Sequence, residues 1–251
     1  MSLRLGETKI KGVNLPSFDF IKAFFDAGGK CGYSGATSFD GVIPFTATSD
    51  VTDMNNMFAE CKGLTSVPLF DTSKVTNMEF MFYDCLRLKN VPSFDTSNVT
   101  NMKGMLRYCS ELTSVPLFDT SNVTDMNSML QDCSRLTNVP SFDTSNVTDM
   151  NSMFSNCSRL TSIPSLDTRN VTDMFGMFYY CSSLETIHMI NIGVNLDIHY
   201  STKFTREALL EIIGNLKTVT STKKLTMGAT NLAKLTEEDK AIATNKGWTL
   251  A

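Results

Sequence analysis

Val123-Thr-Asp-Met126-Asn-Ser-Met129-Leu130-Gln-Asp-Cys133, continued by Ser-Arg-Leu136-Thr-Asn-Val139-Pro140-Ser-Phe142-Asp143-Thr-Ser-Asn146, is a unit that begins again at Val147. Its starts fall at Val51, Val75, Val99, Val123, Val147 and Val171, a period of 24 residues without slippage. Cysteine keeps the same spacing at Cys61, Cys85, Cys109, Cys133, Cys157 and Cys181. One such unit cannot bury its apolar side chains alone, so neighbouring units must stack and share a core.

Inside the unit, Met126, Met129, Leu130 and Cys133 lie at i, i+3, i+4 and i+7. That spacing predicts a helical turn or two, capped by Asn122 or Thr124. Leu136 and Val139 flank small polar residues, and Pro140, which has no N–H to give to a ladder, closes a short strand. Phe142 re-enters the core, and Asp143 to Asn146 turn the chain back with Asx-type bonding. A period in the 20–29 residue range with this content predicts a leucine-rich-repeat-type solenoid of the α/β class. The expected architecture has a parallel β-sheet on one wall and short helical segments on the other.

Methionine supports the stacked core. All of the 15 methionines except Met1, Met189 and Met227 occupy two repeat positions, where an unbranched thioether fills gaps between layers. Soft-metal binding is the sharper reading of a Met and Cys array, and burial is the one the periodicity favours. The recurrent cysteines read as buried reduced thiols. Equivalent residues of adjacent coils lie about 5 Å apart, and parallel side chains seldom meet the dihedral a disulfide needs. Cys31 stands outside the pattern and is the candidate reactive thiol.

Three segments are expected: an N-terminal cap over residues 1–42, the repeats over 43–190, and a C-terminal cap over 191–251. Ser17 to Gly28 reads as a helix with Phe18, Ile21, Phe24 and Phe25 on one face, suited to covering the open end of a core. Ile43-Pro44 stands 24 residues before Val67-Pro68, so the register begins there. After the repeats, Thr205 to Gly214 predicts an amphipathic helix capped by Thr205, with Phe204 and Leu209 as a hydrophobic staple. Lys224 to Met227 predicts a strand. Thr236-Glu-Glu-Asp239 reads as a capping box for a helix ending near Gly247, and Trp248 to Leu250 as an edge strand.

Composition narrows the function. The chain is 42% hydrophobic with a net charge of -4 and no basic block, which argues against a nucleic-acid partner. No apolar run is long enough for membrane insertion as a helix, and the first residues lack the apolar stretch of a secretory signal. No phosphate loop, zincin helix or calcium loop is present, so no cofactor, metal ligand or catalytic residue is assigned. His188 and His199 read as surface or edge residues. Asp71, Asp95, Asp119, Asp143 and Asp167 recur at one turn position, where local turn bonding competes with calcium as the explanation of a carboxylate ladder. The Asn-Val-Thr triplets at Asn98, Asn122, Asn146 and Asn170 match a glycosylation sequon but follow from the repeat itself.

The candidate binding residues are those of the predicted strand face that vary while the core stays fixed. They are Thr65, Ser66, Lys89, Asn90, Thr113, Ser114, Thr137, Asn138, Thr161, Ser162 and Glu185. Hydroxyl and amide groups in such a strip suit a polar protein or glycan ligand. Tyr83, Tyr108, Tyr179 and Tyr180 fall outside the buried stripe and are candidate stacking platforms.

The string Phe-Asp-Thr-Ser-Asn-Val-Thr-Asp-Met-x-x-Met-Phe-x-x-Cys-x-x-Leu-Thr-x-Val-Pro resembles the repeat of the BspA-like leucine-rich-repeat bacterial surface proteins, over about residues 43–190. The resemblance implies an extracellular or cell-surface protein, often adhesive, with no enzymatic activity; the polar strand face is the surface expected to engage a host protein or polysaccharide. The tail from Asn231 to Trp248 is similar to tails of repeat proteins from gut anaerobes and their prophages. Arg4 to Ile10 resembles segments of phage structural proteins. The alternative these two carry is a structural or receptor-recognition component of a phage particle.

Overall fold

The structure is a computed structural model and describes residues 51–251 apart from Pro68 and Phe70. The helix expected over Ser17 to Gly28, the start of the register at Ile43, and Cys31 lie outside the described residues.

Each 24-residue coil bonds to the next through its backbone. Met102, Gly104, Leu106 and Tyr108 donate their N–H groups to the carbonyls of Asp125, Asn127, Met129 and Gln131, at 2.8–3.0 Å. The same bonds link Met54 to Asn77, Met78 to Asn101, Met126 to Asp149 and Met150 to Asp173. The residues between them bond within their own coil: Met105 donates to Met102, Arg107 to Gly104 and Cys109 to Leu106. Alternate amides therefore serve alternate purposes, one set closing turns and the other tying coils together.

This corrects the helical wall. Among the described residues from 51 to 190 no α-helix forms; the Met-x-x-Met segment is a row of turns whose third residue is left-handed in every described coil. Ser128 and Asp132 have φ of 56° and 63°, and Gly104 and Gly176 have 58° and 66°. A turn with only its third residue left-handed is of type II. The helical stripe and the row of turns bury the same side chains, since Met126, Met129, Leu130 and Cys133 are all fully covered. They differ in where the amides go: helical N–H groups stay within the helix, whereas these leave it every second residue.

The sheet expected on the other wall is also corrected. Among the described residues, only β1 (Ser162–Asp167) and β2 (Thr186–Ile190), from the last two coils, pair there as parallel strands. Earlier coils meet at single bonds, such as Lys89 N–H to the Thr65 carbonyl. Pro92, Pro116, Pro140 and Pro164 occupy one position in successive coils, and none can donate to a ladder. In the last coil His188 stands in that place, and the ladder forms. Its register slips by one residue between Ile163 and Leu166, so Met189 rather than Ile190 pairs with Leu166. Met189 is buried accordingly, and Ile190 faces water.

The core runs as layers of Val, Met, Phe or Leu, and Cys. Phe58 stacks on Phe82 with ring centroids 5.4 Å apart, and Phe154 on Phe178 at 6.0 Å, within the range of favourable offset stacking. Every described cysteine is a buried thiol. The Sγ of Cys85, Cys109, Cys133, Cys157 and Cys181 each donates to a carbonyl of the preceding coil, at 3.0–3.3 Å. Burial pushes the Cys181 thiol up to about 12, so it stays protonated as a donor.

The C-terminal residues pack on the last coil. A three-stranded parallel sheet orders β3 (Leu196–Asp197), β4 (Lys223–Thr226) and β5 (Trp248–Leu250), with β5 at its edge. Helices α1 (Arg206–Gly214), α2 (Gly228–Leu232) and α3 (Glu237–Asn245) accompany it. Thr205 caps α1, Phe204 and Leu209 are both buried, and Thr236 with Asp239 forms the capping box of α3. Arg206 grips Asp239 through two bonds of 2.8 and 2.7 Å, which locks the start of α1 to the start of α3. Ser201 donates to the Cys181 carbonyl, and at the last coil's exit Ile192 N–H reaches the Asn215 carbonyl while Lys217 N–H reaches the Ile192 carbonyl. Helix α2 and strand β3 had no periodic signal because both are too short to show one.

Candidate binding surfaces

The polar strip sits on the strand wall. Ser66, Lys89, Asn90, Thr113, Ser114, Thr137, Asn138, Thr161 and Glu185 are exposed, and Thr65 and Ser162 are half-buried. Backbone bonds align the column: Lys89 N–H reaches the Thr65 carbonyl, Thr161 the Thr137 carbonyl, and Glu185 the Thr161 carbonyl. Flanking Leu and Val positions point inward, with Leu88, Leu112, Leu136 and Leu160 wholly covered. The strip thus varies in chemistry above an invariant layer. Leu117, at 69% exposure, interrupts the polar character three residues beyond Ser114.

The corner between the walls is built by Asp-Thr-Ser-Asn. Each Asp closes an Asx turn on the residue two ahead: Ser97 donates to Asp95 Oδ1 through both N–H and hydroxyl, at 3.1 and 2.7 Å. The hydroxyl and then the amide of Ser97 hold the Asp95 carboxyl below its ordinary value. Local bonding therefore offsets the stacked carboxylates, as turn chemistry predicts. The buried Thr hydroxyl bonds the following coil, as Thr96 does to the Asp119 carbonyl at 2.8 Å. The Asn amide bonds the preceding one, as Asn122 Nδ2 does to the Ser97 carbonyl at 2.7 Å. The sequon asparagines thus spend their side-chain amides on the stack, and a glycan on Nδ2 would displace that bond.

A second acidic column runs along the turn wall through Asp125, Asp149 and Asp173. Asn127 Nδ2 bridges to Asp149, and Asn151 Nδ2 to Asp173, at 3.3 Å. Burial, and then the neighbouring Asp149, lift the Asp125 carboxyl above its ordinary value.

The tyrosines gather in two places. Tyr83 meets Tyr108 edge-on at 5.7 Å, and the Arg107 guanidinium lies over the Tyr108 ring at 4.9 Å. Tyr179 and Tyr180 join Tyr200, which comes from beyond the repeats and which the period could not reveal. His188 bonds Glu211 of α1 at 2.6 Å, pinning β2 to the C-terminal unit. His199 closes on Asp197 and packs against Tyr200. Among the described residues, no helix is long and apolar enough to cross a membrane.

Comparison with known proteins adds a family and a distant likeness. No curated protein matches the sequence. A solved structure of a leucine-rich repeat protein from T. pallidum is similar at 14% identity, with 78% of this chain and 77% of that chain covered and a TM-score of 0.40. A family model described as "Mycoplasma protein of unknown function, DUF285" matches residues 31–115 and 109–194. The two matches together span the repeats and more than half of the chain, so the protein belongs to the DUF285 family.

Proposed function

We propose that the protein is a non-enzymatic binding or adhesion protein that engages a host protein or polysaccharide through the polar strip of its strand wall. In this reading the 24-residue coils form a leucine-rich-repeat-type solenoid of the BspA-like kind, capped over residues 1–42 and 191–251. It acts at the cell surface or outside the cell. The observation that carries the proposal is the contrast within each coil. Lys89, Asn90, Ser114, Asn138 and Glu185 change chemistry from coil to coil while the Leu and Val beside them do not. Coils spaced about 4.8 Å apart place the ends of the column roughly 24 Å from each other, a span suited to a protein epitope. The family match brings no support to the alternative of a phage-particle component.

Immobilised matrix proteins and polysaccharides, probed by surface plasmon resonance, test the proposal. Lys89→Glu with Asn90→Ala is expected to weaken the response to the ligand found while leaving thermal unfolding unchanged. Binding untouched by changes along the whole strip would overturn it. Fractionation of native cells, with the protein found in cytosol alone, would remove the surface assignment.

A further inference from the structure

A groove of about 460 Å³ opens where the turn wall ends, across the last three coils and the start of the C-terminal unit. Asp132, Asn156 and Tyr180 hold the same repeat position in consecutive coils and line it, with Ser158 and Ser182 beside them and Tyr200 at the far end. Asn156 Nδ2 donates to Asp132 Oδ1 at 2.9 Å, which fixes a carboxylate and an amide side by side. Tyr180 and Tyr200 face each other with centroids 4.2 Å apart and planes 33° apart, and Tyr179 braces Tyr200 edge-on at 5.5 Å.

The backbone of Tyr180 is left-handed, with φ of 58°, and the residue is 52% exposed. The repeat sets that conformation in every described coil, Tyr108 included, so what marks this position is a large aromatic side chain left open to solvent beside a groove. Asp132 and Asn156 suit the left-handed turn by their chemistry, whereas Tyr180 gains nothing locally from it.

The geometry points to a saccharide-binding groove, in which a short neutral oligosaccharide lays one sugar face on the outer side of the Tyr180 ring, which Tyr200 backs. Its next hydroxyls bond Asn156, Asp132 and the serine hydroxyls. A pyranose has an apolar C–H face for an aromatic ring and adjacent hydroxyls for a carboxylate or amide. A rigid tyrosine platform with small polar neighbours supplies both at low entropic cost. Three coils span roughly 10 Å, the reach of a disaccharide. A proline-rich peptide would need apolar platforms along the groove, and here they stand at one end only. Asp132 disfavours anionic sugars. This site is separate from the strand strip and does not depend on it.

Saturation-transfer NMR on the full chain with cellobiose, lactose, maltose, diacetylchitobiose and sialyllactose tests the inference. At least one neutral disaccharide is expected to receive saturation at its ring C–H protons, and sialyllactose less. Tyr180→Ala is expected to weaken that binding about tenfold or more, Tyr180→Phe to keep most of it, and Lys89→Glu to leave it unchanged. Circular dichroism melting confirms that each variant is folded; should Tyr180→Ala fail there, Tyr200→Ala and Asn156→Ala carry the same expectation. No transfer to any disaccharide at millimolar concentration overturns the inference. So does binding indifferent to these changes, or binding of a proline-rich peptide in place of sugar.

Discussion

The two walls of each coil follow the same 24-residue rhythm and solve the stacking problem differently. On the turn wall, Met102, Gly104, Leu106 and Tyr108 pass their amides to the next coil in an unbroken ladder. On the strand wall a proline interrupts every coil until His188, and coils meet there at single bonds. Backbone connection between coils is therefore concentrated on one side. The other side is held by its buried Leu and Val. Side chains outside the apolar layers vary on both walls, from Asn56 through Phe80 to Ser128 on the turn wall and from Thr65 through Lys89 to Glu185 on the strand wall, so the walls differ in backbone bonding rather than in freedom of sequence.

The largest effect expected from this contrast is in the core beneath the ladder. Met126→Ala should destabilise the protein by about 2–5 kcal/mol, the range for emptying a fully buried methionine site. Asn138→Ala, on the strip of the same coil, should stay within about 0.5 kcal/mol. Urea unfolding of the two variants measures the asymmetry. Gly104→Ala comes next. Gly104 has φ of 58°, and a Cβ there would run into the Phe80 ring of the preceding coil. A loss of about 1–3 kcal/mol is expected. Adding Phe80→Ala should recover the steric part but not the backbone part, and a double-mutant cycle separates them.

The corner offers a smaller test. Thr144 donates to the Asp167 carbonyl at 2.9 Å and accepts from its N–H at 2.8 Å. Thr144→Val removes both bonds from a buried site and should cost about 1–3 kcal/mol. Thr137→Val, exposed on the strip, should cost little. Calorimetric melting of the pair reads the difference.

Electrostatics gives the finest distinction, and its sign differs between the acidic columns. The Asp95 carboxyl is depressed by Ser97. Its contribution is present above the ordinary carboxylate range and is lost as pH falls through the folded value. The Asp125 carboxyl is raised, by burial first, so its charged form weakens the fold above the folded value and the penalty vanishes on protonation. Asp125→Asn should therefore stabilise slightly at neutral pH, by no more than about 0.5 kcal/mol, and not at all near pH 3. Asn77 and Asn101 already fill that place in earlier coils. A melting series from pH 3 to 7 checks the sign.

Much of the scaffold could be read from residues. The period located the buried layers, and burial of Met, Leu and Cys followed from spacing alone. The capping box at Thr236 and the helix after Thr205 were legible because caps are local chemistry. The row of turns carries the spacing expected of a helix because both conformations hide i, i+3, i+4 and i+7. A discriminating signal stood in the neighbouring positions, where Gly104, Ser128, Ser152 and Gly176, or Asp84, Asp132 and Asn156, mark left-handed residues. Phe80, Tyr108 and Tyr180 at those same places obscured it. The strand wall is less continuous than the spacing predicts because the one proline per coil is a gap facing another proline rather than a strand's end. Tyr200 was invisible to any periodic argument, since it enters from outside the repeats.

Residue-level hydrogen–deuterium exchange tests the unequal walls most directly. The amides of Met102, Gly104, Leu106 and Tyr108 should exchange slowly. Those of Asn90, Ser114 and Asn138, which have no backbone partner among the described residues, should exchange orders of magnitude faster. Equal protection on both sides, or fast exchange along the Met-x-x-Met segment, would contradict a stack held together by its turns.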